Sequence, residues 1–414
     1  MSNIILPLDI ESLEITSQSI DNKGNIVLEV VSKNDHSTCH KCGQKAMKRN
    51  GYSATIEVEH TKILERKVYL RIKPVRYKCD LCDTTTTEQY DWCQRNAKVT
   101  KTMEEYIMRS LIHSTIQDVS RKENISPKTV QRVLNRRVDQ EVDWDNYNDL
   151  NTIGIDEISI KKGHQDYLTV VSTKCSKGKL CIIAVLADRK KETLKSFLDS
   201  IPEHLQKTVK SVCTDMYDGF VNASIEVFGQ QKVVVDRYHV AKLYRKPLDD
   251  LRIKEMARLK SELPAEEYSK LKDMMWILRK QHECLTKDDK IKLALLYKYS
   301  HTLKKAHKHA IRLTHIFNAH HSRKHASIKI NRWISKVEKS GIKIFDGFIV
   351  TLIKYKPQVL NYFKNRKNSG FVEGLNNKIK VMKRRCYGLS SPSSFFQRIW
   401  LDLNGFDKFA FKQQ

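Results

Sequence analysis

Two sets of side chains in this sequence have the types and spacing of metal ligands. The first is made of thiols. Cys39-His40-Lys41-Cys42 and Cys79-Asp80-Leu81-Cys82 are two C-x2-C turns separated by 36 residues. Each turn aims two thiolates at one ion, and two turns complete a closed, tetrahedral zinc site. Four unrelated thiols are the alternative, and two matched pairs seldom arise by accident. No ligand position is left open, so the expected role is structural, and a module with so little core should unfold without its ion. Cys93 and His40 lie nearby but are read as ordinary residues, because the tetrahedron is already full. With no export signal in the sequence, disulfides are not expected among the ten cysteines.

The second set is made of acids. Asp156 closes an apolar run, Thr152–Ile155, and Asp215 follows another, Val209–Thr214. Glu373 lies in a segment with helical spacing. There Phe371, Leu375, Ile379, Met382 and Cys386 form an apolar stripe, while Glu373, Asn377, Lys380 and Arg384 line a polar face. Carboxylates suit hard magnesium or manganese ions. In a two-metal site, one ion activates an attacking hydroxyl and the other stabilises the leaving oxygen. Three clustered carboxylates would also repel one another without cations. Each acid has an ordinary reading too: an Asp at a strand end caps turns and helices, and Glu373 reads equally as an exposed surface residue. The 158 positions from Asp215 to Glu373 require an inserted domain between sheet and helix.

The elements that must hold these ligands are readable from periodicity. Between the knuckles, Thr55–Glu59, Lys67–Ile72 and Pro74–Tyr77 alternate apolar and polar residues as strands do. With a short strand near Ile26–Val31 before them, residues 1–92 read as an N-terminal strand region followed by a four-cysteine zinc ribbon. Residues 93–140 change to helical spacing. Met103, Tyr106, Ile107 and Leu111 mark one helix, and Ile116 and Val119 a second. Ser126-Pro127 caps a third, which buries Val130, Val133 and Leu134. That helix turns Lys128, Gln131, Arg132, Asn135 and Arg136 outward, as the recognition helix of a helix-turn-helix does; a plain three-helix bundle gives the same apolar pattern.

Past the acidic stretch Asp139–Asp149, residues 150–240 read as three antiparallel strands followed by alternating helices and strands. This is a mixed α/β sheet, as in ribonuclease H, with Asp156 and Asp215 at strand ends. Residues 241–365 read as a charged helical insertion, and 366–414 as the final helices. The seven histidines from His301 to His325 lack partner ligands, so they are expected on a solvated or phosphate-facing surface. Trp333 and Phe345 are read as packing residues ahead of base stacking.

Composition excludes some classes of function. The net charge of +27 favours a polyanionic partner. No stretch approaches the roughly 20 apolar residues of a membrane span, and the first residues lack the form of a signal peptide, so a cytoplasmic location is expected.

These features together resemble a known family. The ribbon, the helix-turn-helix, Gly154-Ile155-Asp156-Glu157, Cys213-Thr214-Asp215-Met216 and Asp236-Arg237-Tyr238-His239-Val240 are similar to the ISL3 family of bacterial insertion-sequence transposases. So is Ser369-Gly370-Phe371-Val372-Glu373-Gly374-Leu375-Asn376-Asn377-Lys378-Ile379-Lys380, with Arg384-Arg385-Cys386-Tyr387-Gly388 after it. The resemblance covers nearly the whole chain. It implies a DDE triad in a ribonuclease-H-like domain, falling on Asp156, Asp215 and Glu373, with Mg2+ or Mn2+ as cofactor. It also implies a helical insertion before the glutamate, which accounts for the long interval. Asp236 and His239 match a motif with two readings: assistance near the metals, or a helix start capped by Asp236. The implied partners are double-stranded DNA, as element ends and target, and further copies of the chain in a dimer or larger synaptic complex. A DNA-binding regulator without catalysis and a structure-specific nuclease are the rival readings.

Overall fold

The computed structural model describes residues 8–159, 167–365, 370–386, 389 and 391–410. Ser369, Tyr387 and Gly388 of the motifs above lie outside the described residues. The chain divides into two compact units, Met1–Val138 with Leu401–Gln414, and Asp139–Trp400.

The first unit opens with nine strands: β1 (Leu13–Ile20), β2 (Ile26–Ser32), β3 (Ser37–Thr38), β4 (Lys45–Ala46), β5 (Lys48–Tyr52), β6 (Ile56–Ile63), β7 (Arg66–Ile72), β8 (Val75–Lys78) and β9 (Thr85–Thr87). They form a four-stranded sheet in the order β1-β2-β7-β6, a three-stranded sheet β5-β8-β9, and the pair β3-β4. The expectation that all strands between the knuckles belong to the ribbon is therefore corrected. The β6–β7 hairpin, although it lies between the knuckles in sequence, pairs with β2, and β2 and β7 run parallel. The reason is burial: Leu28, Val30, Val58, Val68, Leu70 and Ile72 share one core with Leu13 and Trp92. Only β3, β4, β5, β8 and β9 flank the cysteines.

Three helices follow: α1 (Lys101–Leu111), α2 (Ile116–Glu123) and α3 (Pro127–Arg137). Thr100, Thr115 and Ser126 cap them by accepting backbone N–H bonds, and Pro127 occupies the first turn of α3. The buried faces are those read from the sequence, with Met103, Ile107 and Leu111 on α1 and Val130, Val133 and Leu134 on α3. Tyr106 is only half-buried, and Met108 and Glu104 join the covered face.

The second unit is built on β10 (Thr152–Ser159), β11 (Tyr167–Lys174), β12 (Leu180–Leu186), β13 (Ser211–Thr214) and β14 (Val233–Val235), in the order β12-β11-β10-β13-β14. The first three are antiparallel, and β13 and β14 run parallel to β10. Helices α4 (Lys191–Asp199), α5 (Glu203–Thr208) and α6 (Asp218–Phe228) connect the later strands. One face of the sheet, with Ile153, Ile155, Val171 and Val212, packs on Leu194, Leu198 and Phe220 of these helices.

The other face packs on a run of longer helices: α7 (Arg237–Glu262), α8 (Ala265–Ser269), α9 (Met274–Ile277), α10 (Lys287–Tyr299), α11 (His301–Asn318), α12 (Arg323–Lys339), α13 (Asp346–Lys354) and α14 (Lys356–Asn365). This run shares one continuous core with Cys213, Val233, Val234 and Val235. A boundary after residue 240 falls inside α7, so the helical segment grows directly out of the sheet. It also returns to the sheet. Asn361 on α14 donates to the carbonyls of Gln230 (2.8 Å) and Val233 (2.7 Å), and so satisfies the exposed edge at β14.

Two helices complete the chain, α15 (Gly370–Arg385) and α16 (Pro392–Phe409). The end of α16, from Leu401, belongs to the first unit, where Asp402 accepts the His113 N–H at 3.3 Å and Arg137 lies over the Phe409 ring. The segment 366–414 is thus not wholly part of the sheet domain. No described helix is long and apolar enough to cross a membrane.

Candidate active site and metal centre

The register of the central strands explains how two acids meet. The parallel pairing of β10 with β13 ends at Gly154 opposite Cys213. Two residues further along each strand stand Asp156 and Asp215. They occupy matching positions, on the sheet face that carries Gly154 and Cys213. Asp215 follows the last residue of β13 as expected, whereas Asp156 lies within β10, because β10 continues alongside β11 to Ser159. Burial raises both carboxyls above the usual range, Asp215 to about 6. For Asp215 the negative charge of Asp156 adds to the rise, while the His239 imidazole draws both acids back. Backbone N–H groups hold the pair: Glu157 N–H donates to Asp156 at 2.7 Å, and Tyr217 N–H to Asp215 at 3.2 Å. Two desolvated carboxylates at matched positions suit a hard divalent cation.

Helix α15 lies along β10. A Cβ on Gly154 would overlap the Val372 side chain, Asn376 donates to Asp156, and Lys383 donates to the Ser159 carbonyl. From Val372 to Lys383 the helix advances about 16 Å, and from Gly154 to Ser159 the strand advances about the same, so the two run side by side in one direction. Gly154 is required here, because any side chain would push the helix off the strand next to Asp156.

Leu375, Ile379, Met382 and Cys386 of the expected stripe are buried, and the covered face widens to take in Val372 and Asn376. Phe371 is half-exposed. Glu373, Asn377, Lys380 and Arg384 are exposed, the polar face read from the sequence. Glu373 does not meet the two aspartates. Among the described residues, the only group of three or more acids, cysteines or histidines with ligand atoms close enough to share an ion is the cysteine cluster. The side chain of α15 that reaches the acid pair is Asn376, which no sequence pattern singled out.

Asp236 caps α7 by accepting the Tyr238 N–H at 3.0 Å, the capping role foreseen for it. His239, in the first turn of α7, is half-buried beside both acids. Arg189 was also missed: it pairs with Glu157 at 3.2 Å and lies over the rings of Tyr167 (4.5 Å) and Tyr217 (5.1 Å). No signal in the sequence distinguished it from other basic residues.

Cys39, Cys42, Cys79 and Cys82 come together with their sulfurs within 4.8 Å of one another. Cys39 lies 3.4 Å from Cys82, and Cys42 lies 3.5 Å from Cys79. A tetrahedron with metal–sulfur bonds of about 2.3 Å has edges of roughly 3.8 Å, so the cluster fits a metal ion. The two knuckles repeat one design. Cys39 N–H donates to the Gln44 carbonyl and Cys79 N–H to that of Thr84, and each knuckle closes on a left-handed residue, Gly43 or Asp83. The Thr84 hydroxyl, with the amides of Cys42 and Lys41, draws the Cys39 thiol down to about 5, whereas desolvation and the neighbouring thiols push Cys42 up to about 12, so the cluster shares its protons when no ion is bound.

Of the expected DNA-facing residues, Lys128, Arg132 and Asn135 are exposed on α3, and Gln131 donates to Asn135 at 2.8 Å. Arg136 pairs with the buried Glu104, so its guanidinium is engaged within the protein. In the helical segment, two of the seven histidines depart from the surface reading. His307 is buried between the Tyr297 hydroxyl (2.7 Å) and the Leu278 carbonyl (3.0 Å), and His309 is buried beneath Trp333, whose Nε1 donates to its carbonyl. Trp333 and Phe345 are core residues with ring centroids 5.9 Å apart. Lys305, Lys308 and Arg312 on α11, and Lys329, Arg332, Lys336 and Lys339 on α12, are exposed with no acid within ion-pair distance among the described residues. By contrast, cations on α7 and α10 pair with acids of their own helix, as Lys246 does with Asp250 and Lys292 with Asp288.

Comparison with known proteins agrees with this arrangement. Residues 153–399 match the DDE transposase model of the ISL3 family, described as a transposase, and residues 88–138 match the helix-turn-helix domain of transposase family ISL3. The chain is 26% identical over 363 residues to the transposase for insertion sequence element IS1001 of Bordetella parapertussis, covering 87% of each chain. It is 24% identical over 419 residues to the transposase for insertion sequence element IS1557 of Mycobacterium tuberculosis, covering 96% of this chain and 92% of that one.

Proposed function

This chain belongs to the ISL3 family of transposases, and from that premise we propose that it binds the terminal repeats of an insertion sequence, cleaves the DNA there and joins the freed ends to a target. The observation that carries the reading is the acid pair. Asp156 and Asp215 stand at matching positions on neighbouring parallel strands, both desolvated, with the charge of Asp156 raising Asp215 further. The strand order around them, three antiparallel strands followed by two parallel ones, supports a ribonuclease-H-like core.

Asp156 and Asp215 would hold magnesium or manganese. When bound, such ions supply Lewis-acid activation of the attacking hydroxyl and stabilisation of the leaving oxygen. Backbone N–H groups of Glu157 and Tyr217 keep the two carboxylates aimed together. Glu373 is the third acid of the triad. It lies three residues before Asn376 and about 60° around the helix, on the exposed face of α15. Asn377, Lys380 and Arg384 line the same exposed face and suit a phosphate backbone.

The cysteine cluster holds a structural zinc ion, and the ribbon strands with α3 read the element's ends, through Lys128, Arg132, Asn135 and Gln131. The unpaired cations of α11 and α12 suit sequence-independent contact with duplex DNA. Two ends must be joined to one target, so the working form is a dimer or larger complex, acting in the bacterial cytoplasm on chromosomal or plasmid DNA.

The test is incubation of purified protein with DNA carrying its native element ends, in magnesium, in manganese and in chelator. End cleavage and strand joining that require the divalent ion are expected. Cleavage that persists in chelator, or hydrolysis with no joined product, would overturn the reading.

A further inference from the structure

Helix α15 meets the acid pair through an uncharged side chain. Asn376 is buried, and its Nδ2 donates to Asp156 Oδ2. Its Oδ1 is also buried and has no hydrogen-bond partner among the described residues. The anionic Asp156 dictates which way the carboxamide faces, since the opposite orientation would set oxygen against oxygen. Both polar atoms of the group share one carbon, so the orphaned oxygen lies within a carboxamide's width of the Asp156 contact.

A buried acceptor without a donor is a cost that a purely structural contact does not need. Val372 and Ile379 already pack the helix onto the sheet, and Lys383 ties its end to Ser159. A residue that only filled space at 376 would be better apolar. The surroundings also discriminate among possible partners for Oδ1. A neutral oxygen close to the Asp156 carboxylate adds to the negative potential there, and amide oxygens are ordinary ligands of hard divalent cations. The exposed Glu373, one turn earlier, has none of these features.

We propose that Asn376 is a working member of the metal site, its N–H fixing Asp156 and its Oδ1 supplying an oxygen ligand to the cation. This rests on the reading of Asp156 and Asp215 as metal ligands. It assigns two separable jobs to one side chain. The amide nitrogen positions a ligand, as hydrogen-bond partners of metal ligands do, and the amide oxygen is a ligand itself.

The experiment measures Mn2+ binding to the full-length, zinc-loaded protein by calorimetry, with Asp215→Asn setting the background. Asn376→Ala should weaken Mn2+ binding by about 10- to 100-fold, while the thermal midpoint in chelator stays near that of the wild type. Asn376→Asp, which keeps an oxygen at the ligand position but loses the N–H, should recover binding well above Asn376→Ala. If Asn376→Ala does not fold, Asn376→Ser is compared with Asn376→Asp in its place. Unchanged Mn2+ affinity in folded Asn376→Ala would overturn the proposal while leaving the acid pair intact. Equal weakness of the Ala and Asp variants would overturn the ligand role of Oδ1. Wild-type protein that binds no Mn2+ above the Asp215→Asn background would overturn both this proposal and the reading on which it rests.

Discussion

At the scale of single residues, the site separates acids by their surroundings. Asp156 and Asp215 are held by backbone N–H groups and raised by burial. Glu373 is exposed on α15. The two environments predict different behaviour for Glu373→Gln: Mn2+ affinity without DNA should change less than about threefold, while end cleavage falls by roughly 100-fold or more. Equal loss of both would show that Glu373 already belongs to the resting site. His307 makes a separate prediction. Its burial lowers its pKa from 6.5 to about 4, so the folded protein takes up that proton later than the unfolded chain does. The associated stability is complete above pH 6.5, declines below it, and is lost as pH falls through about 4. The total is on the order of 3 kcal/mol. His307→Gln, followed by denaturant titration across that window, should flatten this part of the profile. An unchanged slope would contradict the buried neutral imidazole. The acids were legible in the sequence because each follows an apolar run. Asn376 was not, because a polar residue beside an apolar stripe carries no signal of burial, and its cover comes from the contact with β10.

At the scale of elements, alternation and capping carried most of the information. Strands β10 to β14 stand out as short apolar runs, buried on both faces, and helices α1 to α3 by a period of 3.6 residues, both visible without the structure. Strand β1 and the parallel pairing of β2 with β7 were not visible. The second knuckle closes only after β6 and β7 have left for another sheet, and nothing local marks that interleaving. The interleaving has a consequence for metal removal. Strands β3, β4, β5, β8 and β9 have a small core of their own, centred on Ala46, Val75 and Tyr77 with the cysteines, whereas β1, β2, β6 and β7 bury a larger one. Stripping the metal with a strong chelator should abolish amide-exchange protection at β5, β8 and β9. Protection in β10 to β14 should persist, since that sheet belongs to the other compact unit. Retained protection at β8 after complete metal removal would contradict a structural ion.

At the scale of the whole molecule, a charge of +27 is not spread evenly in its effect. Many cations of α7 and α10 are neutralised by acids on the same helix, while among the described residues those of α11 and α12 have no acid within ion-pair distance. The unpaired ones should therefore carry the polyelectrolyte contribution to DNA binding. Replacing Lys305, Arg312 and Lys336 together by Gln should lower the slope of log affinity against log salt by about 2 to 3, equally for all sequences. Fluorescence anisotropy across a salt series measures it, and an unchanged slope in a folded variant would contradict DNA contact at this face. The helical segment that interrupts the acids was legible as an interval too long for a loop. Its fusion with the sheet through α7 and α14 was not, because that depends on which apolar faces meet.

The most direct measurement of the central claim compares wild type with Asp215→Asn on DNA carrying the native ends, scoring end binding, cleavage and strand joining in magnesium. The metal role of the acid pair predicts that binding survives in the variant while cleavage and joining both vanish. Cleavage retained by a folded, end-binding Asp215→Asn protein would contradict it.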